Sequence, residues 1–166
     1  MNTVTPTLVV CEQSDRWRLA WQTWQSRLVR GESSPAVVRS VRQPDELAAA
    51  IERWQPAGVL LEIAVTNQVA VCQAIAQFAK SWPRGLSFVV GSSAARSTES
   101  AARWAGAAGC AWSARELPPL VEWFARCCQK LDVPAGSWEE SIRASLPWVA
   151  ETALLPAASP TPDKMR

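Results

Sequence analysis

The chain contains no histidine, and that one omission removes much of the chemistry a sequence can advertise. Ser–His and Cys–His nucleophile pairs need the imidazole as base, and histidine is the commonest general acid–base group at neutral pH. What remains is five cysteines, one Gly91-Ser92-Ser93 stretch and two carboxylates that stand at the ends of apolar runs. Cys11, Cys72, Cys110, Cys127 and Cys128 are odd in number and form no C-x-x-C pair. A zinc site would need them to act with carboxylates alone, at spacings that fit no familiar pattern. They read as small buried hydrophobes in a reducing compartment. A bare Gly-Ser-Ser is a weak phosphate signal and reads as plain loop. The carboxylates are Glu12, directly after Leu8-Val9-Val10-Cys11, and Glu62, near the end of the run Gly58-Val59-Leu60-Leu61-Glu62-Ile63.

Hydrophobic periodicity supplies the elements that must hold these groups. Short β-branched or apolar runs predict strands at 8–11, 36–41, 58–63, 86–90 and 109–112. Between them lie helical patterns. Ser14 or Asp15 can cap a first helix, on which Trp17, Ala20, Trp21, Trp24 and Leu28 share one face. Pro44-Asp45-Glu46-Leu47 opens a second, with Leu47, Ala50, Ile51 and Trp54 inward, and Gln55-Pro56 stops it. A third spans 68–80 with Val71, Cys72, Ile75, Phe78 and Ala79 inward. The fourth covers 98–105, and the fifth covers 116–130 with Leu117, Leu120, Val121, Phe124 and Cys128. Strands alternating with helices at this pitch predict an α/β fold, a doubly wound five-stranded parallel sheet with helices on both faces. This domain is expected to occupy 1–131. Residues 132–155 read as a linker and a short extra helix opened by Ser137-Trp138-Glu139-Glu140, and the Pro-, Ala- and Ser-rich residues 156–166 as a disordered tail.

The chain has 166 residues, 48% of them apolar and 19% charged, which suits a folded domain with a real core. Its formal net charge is +2, and no run of Lys or Arg occurs. Direct nucleic-acid binding is not expected, because tracking phosphates takes a basic stripe or cluster. No stretch approaches the roughly 20 apolar residues needed to cross a bilayer, and the N-terminus carries no signal-peptide pattern. A cytoplasmic location without membrane partners is expected.

Three stretches, Pro56 to Ile63, Val9 to Glu12, and Gly106-Ala107 with Ser113 and Glu116-Leu117, stand in an order and at a separation that resemble the CheY-like receiver domains of bacterial response regulators over roughly residues 7–131. Pro56-Ala57-Gly58-Val59-Leu60-Leu61-Glu62-Ile63 is similar to the third strand of that family, which usually carries the phosphoacceptor aspartate. Val9-Val10-Cys11-Glu12 is similar to the first strand and its magnesium-binding acidic pair. Gly106-Ala107, Ser113 and Glu116-Leu117 resemble the stretch around the fifth strand. The tryptophan stripe of the first helix starts one position late against this match, which calls for a longer loop at Gln13-Ser14.

The resemblance implies a degenerate site. Glu62 stands at the phosphoacceptor position with its carboxylate one methylene too far out for a geometry built for aspartate. Cys11 and Glu12 stand for the acidic pair. Magnesium wants several hard oxygen ligands, so weak binding through Glu12 and Glu62 is the most this set allows and no cofactor is expected. Ser113 replaces the lysine that meets the phosphoryl group, and Arg115 follows no motif. The hydroxyl at the end of the fourth strand matches Gly91 or Ser92, surviving in Ser92 or Ser93, and Cys110 replaces the switch aromatic. The expectation is a pseudo-receiver that is not an enzyme. Glu62 then either imitates a phosphorylated state or is a solvated glutamate at a strand end. The chain would act as a protein-interaction or adaptor module in signal transduction, or self-associate, through the fourth-helix to fifth-helix face, where Trp104, Trp112 and Trp123 are candidate interface residues. About 35 residues past the domain are too few for a DNA-binding output domain. The alternative is a small-molecule or nucleotide sensor binding at the C-terminal ends of the strands, lined by Glu12, Glu62 and Ser92.

Overall fold

The computed structural model describes residues 5–28 and 35–131. The expected linker and extra helix at 132–155, and the expected tail at 156–166, lie outside the described residues. Along the chain run β1 (Thr7–Cys11), α1 (Arg16–Leu28), β2 (Val37–Val41), α2 (Glu46–Trp54), β3 (Gly58–Ile63), α3 (Gln68–Ser81), β4 (Leu86–Gly91), α4 (Glu99–Trp104), β5 (Gly109–Ala111) and α5 (Pro118–Leu131). The strands form one parallel sheet in the order β2-β1-β3-β4-β5. The order reverses between β1 and β3, so the crevice where such sheets bind ligands opens beyond Cys11 and Ile63. The predicted α/β sheet is the observed one.

Both faces of β1, β3 and β4 are buried, which is why these strands are apolar runs, whereas the edge strand β2 alternates exposed and half-buried residues up to Val41. Leu8, Val10, Leu60, Phe88 and Val90 pack with Trp17, Trp21, Leu117, Leu120 and Phe124 under α1 and α5. Val9, Cys11, Val59, Leu61 and Val89 pack with Leu47, Val71, Ile75, Phe78 and Ala102 under α2, α3 and α4. The first layer is knit by aromatic edges: Trp21 lies 5.7 Å from Phe124 and 5.9 Å from Phe88. Such pairs add about 0.5–1.5 kcal/mol each beyond burial. Trp17 and Trp21 are thus core, and Trp24 is half-buried.

Several boundaries differ from the sequence expectation for local reasons. Thr98 does not open α4. It closes a 3-10 turn, Ser93–Thr98, where its hydroxyl donates to the Ala95 carbonyl, so Ser93 lies in helical turn rather than plain loop. A second 3-10 turn, Ala114–Glu116, precedes α5, which starts at Pro118, a residue suited to a first turn because it has no N–H to leave unpaired. Ala79 is exposed rather than inward. α2 starts as expected, with Asp45 accepting from the Glu46 N–H, and ends on Gln55 in the left-handed region at φ 43°. Gly106, at φ 112°, makes the corresponding turn after α4.

Candidate functional site

Glu12 follows β1 directly and points into the protein rather than out of it, with 2% of its surface exposed. Its Oε2 accepts the Trp17 N–H at 2.7 Å and its Oε1 accepts the Arg18 N–H at 2.8 Å. Glu12 therefore supplies the cap of α1. The expected caps do not: the Asp15 carboxylate accepts instead from Arg18 Nε and Arg42 Nη2, at 3.2 Å each. A carboxylate against two unpaired amides at a helix N-terminus is favourable twice over, by hydrogen bond and by dipole. Burial nonetheless raises the Glu12 pKa above the usual glutamate value. The two amides pull it back down, while the charges of Glu62 and Asp15 push it up again.

Glu62 is half-buried beside it, near the end of β3. Its Oε2 accepts the Gln13 N–H and its Oε1 accepts the indole N–H of Trp17, both at 3.2 Å. Its own carbonyl accepts from Asn67 Nδ2, and Asn67 Oδ1 accepts the Ala64 N–H at 2.7 Å, closing the turn into α3. Glu62 is therefore no freely solvated strand-end residue. The longer loop expected at Gln13-Ser14 is where the Gln13 amide turns back to it. Cys11, buried between these acids and α2, has its thiol pushed up to about 11, first by burial and then by the charges of Glu46, Asp45, Glu62 and Glu12.

The remaining equivalents do not converge on Glu62. Ser92, just past β4, and Ser93 are exposed. Gly91 has no room for a side chain: a Cβ there would lie 2.7 Å from the Ile63 carbonyl oxygen and 3.1 Å from the Trp112 ring. Ser113 is extended, and its carbonyl accepts the Glu116 N–H. Among the described residues no hydrogen bond joins Ser92 or Ser113 to Glu62. Arg115 sits in the 3-10 turn before α5, and Cys110 packs half-buried against the α2–α4 face.

The three candidate interface tryptophans separate. Trp112 is only 4% exposed, which corrects its expected place on a contact surface. Its N–H donates to Glu116 Oε2 at 2.9 Å and its indole Nε1 donates to Glu99 Oε2 at 3.0 Å. Glu99 pairs in turn with Arg103, and Glu116 with Arg96. The Trp112 indole, then Arg103, hold the Glu99 carboxyl below the usual glutamate value. Trp104 is 91% exposed on α4, and Trp123 is 37% exposed with its ring edge on Phe88.

Sequence reasoning missed the capping by Glu12 and the buried amide of Gln25, which accepts from Trp21 Nε1 and donates to the Ala36 carbonyl. The signal for Gln25 was its position, one turn from Trp21 on the inward stripe. Among the described residues no group of three His, Cys, Asp or Glu side chains could hold a metal, and no helix is long and apolar enough to cross a membrane. A shallow cleft of about 160 Å³ runs between α2 and α3, lined by Leu47, Ile51, Ala74 and Phe78 among others.

No protein-family model matches the sequence, and no curated protein matches it. Solved structures do match. A response regulator from Thermotoga maritima superposes with a TM-score of 0.60 at 15% identity, covering 74% of this chain and 99% of that one. A CheY-like protein, TadZ, from Pseudomonas aeruginosa gives 0.55 at 15% identity, over 74% of this chain and 94% of that one. The signal receiver domain of an HD domain-containing protein from Pseudomonas fluorescens gives 0.60 at 11% identity, over 76% and 99%. At these identities the likeness concerns the backbone, and it agrees with the strand order: the chain has the fold of the CheY-like response-regulator receivers.

Proposed function

We propose that this chain is a receiver-fold module of signal transduction that carries no phosphoryl group and works by binding other proteins. The observation that carries the reading is that both carboxylate oxygens of Glu62 already accept hydrogen bonds, from Gln13 N and Trp17 Nε1. Attack on phosphorus would require giving one of them up, from a carboxylate that is already one methylene off the aspartate geometry. Phosphoryl transfer is catalysed almost wholly by positioning and charge neutralisation, and among the described residues no lysine bonds to Glu62. The donor set does not fit magnesium either. Both oxygens of the buried Glu12 face backbone amides, and Cys11 offers a protonated thiol. We read the chain as a non-enzyme without cofactor, working in the cytoplasm, where free thiols on Cys11, Cys72, Cys110 and Cys127 persist.

The contact surface we assign is the exposed side of α4 and α5, marked by Trp104 and Trp123, because exposed aromatics supply large contact area and few other reasons place an indole 91% in water. No observation favours a ligand at the strand ends, where Glu12 and Glu62 are engaged with α1.

Phosphorylation is tested by incubating the full chain with a small-molecule phosphodonor and magnesium and measuring its intact mass. The unmodified mass is expected, and an adduct mapped to Glu62 would overturn the reading. The binding surface is tested by comparing the chain with Trp104→Ala for self-association and for proteins captured by affinity. Identical profiles would remove the α4–α5 assignment.

A further inference from the structure

β2 is an edge strand, and among the described residues no strand pairs with its outer side. Val37 N donates to the Pro6 carbonyl and Glu12 N to the Val41 carbonyl, so Val37, Arg39 and Val41 spend their backbone groups on β1. In a parallel ladder the alternate residues face the other way. Val38 and Ser40 therefore turn their N–H and C=O outward, and no described residue meets them. The neighbouring outward carbonyl, that of Ala36, is taken by Gln25 Nε2, which leaves two residues' worth of strand edge unpaired. Ser40 Oγ is also buried without a hydrogen-bond partner among the described residues.

Two arginines stand beside this edge, with the exposed Glu52 next to one of them in sequence. Arg39 is exposed on the α2 side of β2, with its guanidinium 5.9 Å from the Trp54 ring centre. Arg53, also exposed, places its guanidinium 5.8 Å from the same ring. Neither forms an ion pair among the described residues, where the salt bridges use Arg18, Arg42, Arg96 and Arg103. Two guanidinia resting on one indole are held in place at little further entropic cost, with their charge unspent.

We propose that the free edge of β2 receives an extended acidic segment of a partner protein as an added strand. Main-chain bonds to Val38 and Ser40 would supply affinity, and a carboxylate across from Arg39, shared with Arg53, would supply selectivity. A second copy of this chain fits less well. Two β2 edges pairing antiparallel about their centres would set Arg39 opposite Arg39, a like-charge pair that is destabilising. This surface is separate from the α4–α5 face and does not depend on it.

The test is titration of the full, isotopically labelled chain with a synthetic peptide alternating Glu and Val, followed by amide NMR. The Val38 and Ser40 amides are expected to shift and to gain exchange protection, and a Lys-Val peptide or a Glu-Val peptide N-methylated on its pairing edge is expected to give neither. Arg39→Glu combined with Arg53→Glu, checked for an unchanged fold by circular dichroism, is expected to weaken the Glu-Val peptide about tenfold or more. Shifts that spare Val38 and Ser40, or equal responses to the Glu and Lys peptides, would overturn the proposal. So would protection of these amides in the peptide-free chain. If it grew with concentration it would assign the edge to a second copy, and if it did not it would assign the edge to the chain's own remaining residues.

Discussion

The indole N–H of Trp17 points at Glu62 Oε1 across 3.2 Å, tying the first turn of α1 to the end of β3. The Trp17 backbone N–H simultaneously meets Glu12 at the end of β1. One residue thus joins two neighbouring strands at the mouth of the sheet.

Glu62→Gln keeps the shape but leaves one carbonyl oxygen where two donors, Gln13 N and Trp17 Nε1, require acceptors. A loss of about 1 kcal/mol is expected, read as a lower urea midpoint with an unchanged slope. Glu62→Asp withdraws the carboxylate from both donors and is expected to cost as much or more. If aspartate at 62 instead stabilised the chain, the clamp assigned to Trp17 and Glu62 would be wrong.

Glu12→Ala strips two amides of their acceptor inside a site closed to water, and a loss of about 2–3 kcal/mol is expected. Glu12 also leaves a mark on pH dependence. The folded protein holds its proton to a higher pH than the unfolded chain does, so this residue's contribution falls as pH rises through the interval just above 4.5. Asp15, lowered chiefly by the Arg42 hydrogen bond, works the other way: its contribution is complete above 3.8 and is lost as pH falls through its depressed folded value. In Glu12→Gln the downward trend above 4.5 should disappear while the acid-side loss remains. Urea unfolding across this range separates the two.

Thiol reactivity should divide by site. Burial pushes Cys11 and Cys110 up to about 11 from 9.0. That leaves about a hundredfold less thiolate in the folded chain than in the unfolded one at pH 8. Iodoacetamide is expected to spare both in the native protein and to modify both in urea, as counted by peptide mass spectrometry. The same shifts predict falling stability as pH rises from 9.0 towards 11, because the unfolded chain releases protons that the folded one keeps. Rapid native labelling of Cys11 would contradict its burial.

Trp112 and Trp104, eight positions apart in sequence, should respond in opposite ways. Trp112→Ala opens a cavity under α4 and removes the indole donor to Glu99, which keeps Arg103, with an expected cost of about 3–5 kcal/mol. Trp104→Ala removes a side chain 91% in solvent and should change stability by no more than about 0.5 kcal/mol. Thermal unfolding of the two variants is sufficient to compare them.

The sheet could be read from sequence because β1, β3 and β4 are buried on both faces and so appear as continuous apolar runs. Residues 58–63 emerge as a strand with no boundary error. The site was harder, since its contacts are not local. Rules for helix capping look to the residue next to the helix, and here Ser14 and Asp15 were the natural choices. The acceptor is Glu12, four residues before α1 begins, and nothing in its neighbours announces that it bends inward. Trp112 was misplaced for a similar reason. Its burial depends on Glu99, thirteen positions earlier, and on the absence of a side chain at Gly91, neither of which shows in a three-residue strand.

The fit between Gly91 and Trp112 also constrains how this chain could change over time. A serine or threonine at 91, where a hydroxyl would extend β4 toward the Glu62 end of the sheet, meets a backbone oxygen at 2.7 Å and an indole at 3.1 Å. Shrinking the indole relieves only the second contact and gives up its bond to Glu99, while the Ile63 carbonyl is backbone and yields only if β3 and β4 move apart. A change at 112 therefore eases a side chain at 91 only in part, and each step carries a cost of its own. Selection acting one codon at a time meets a valley between the present arrangement and one with a hydroxyl at that place.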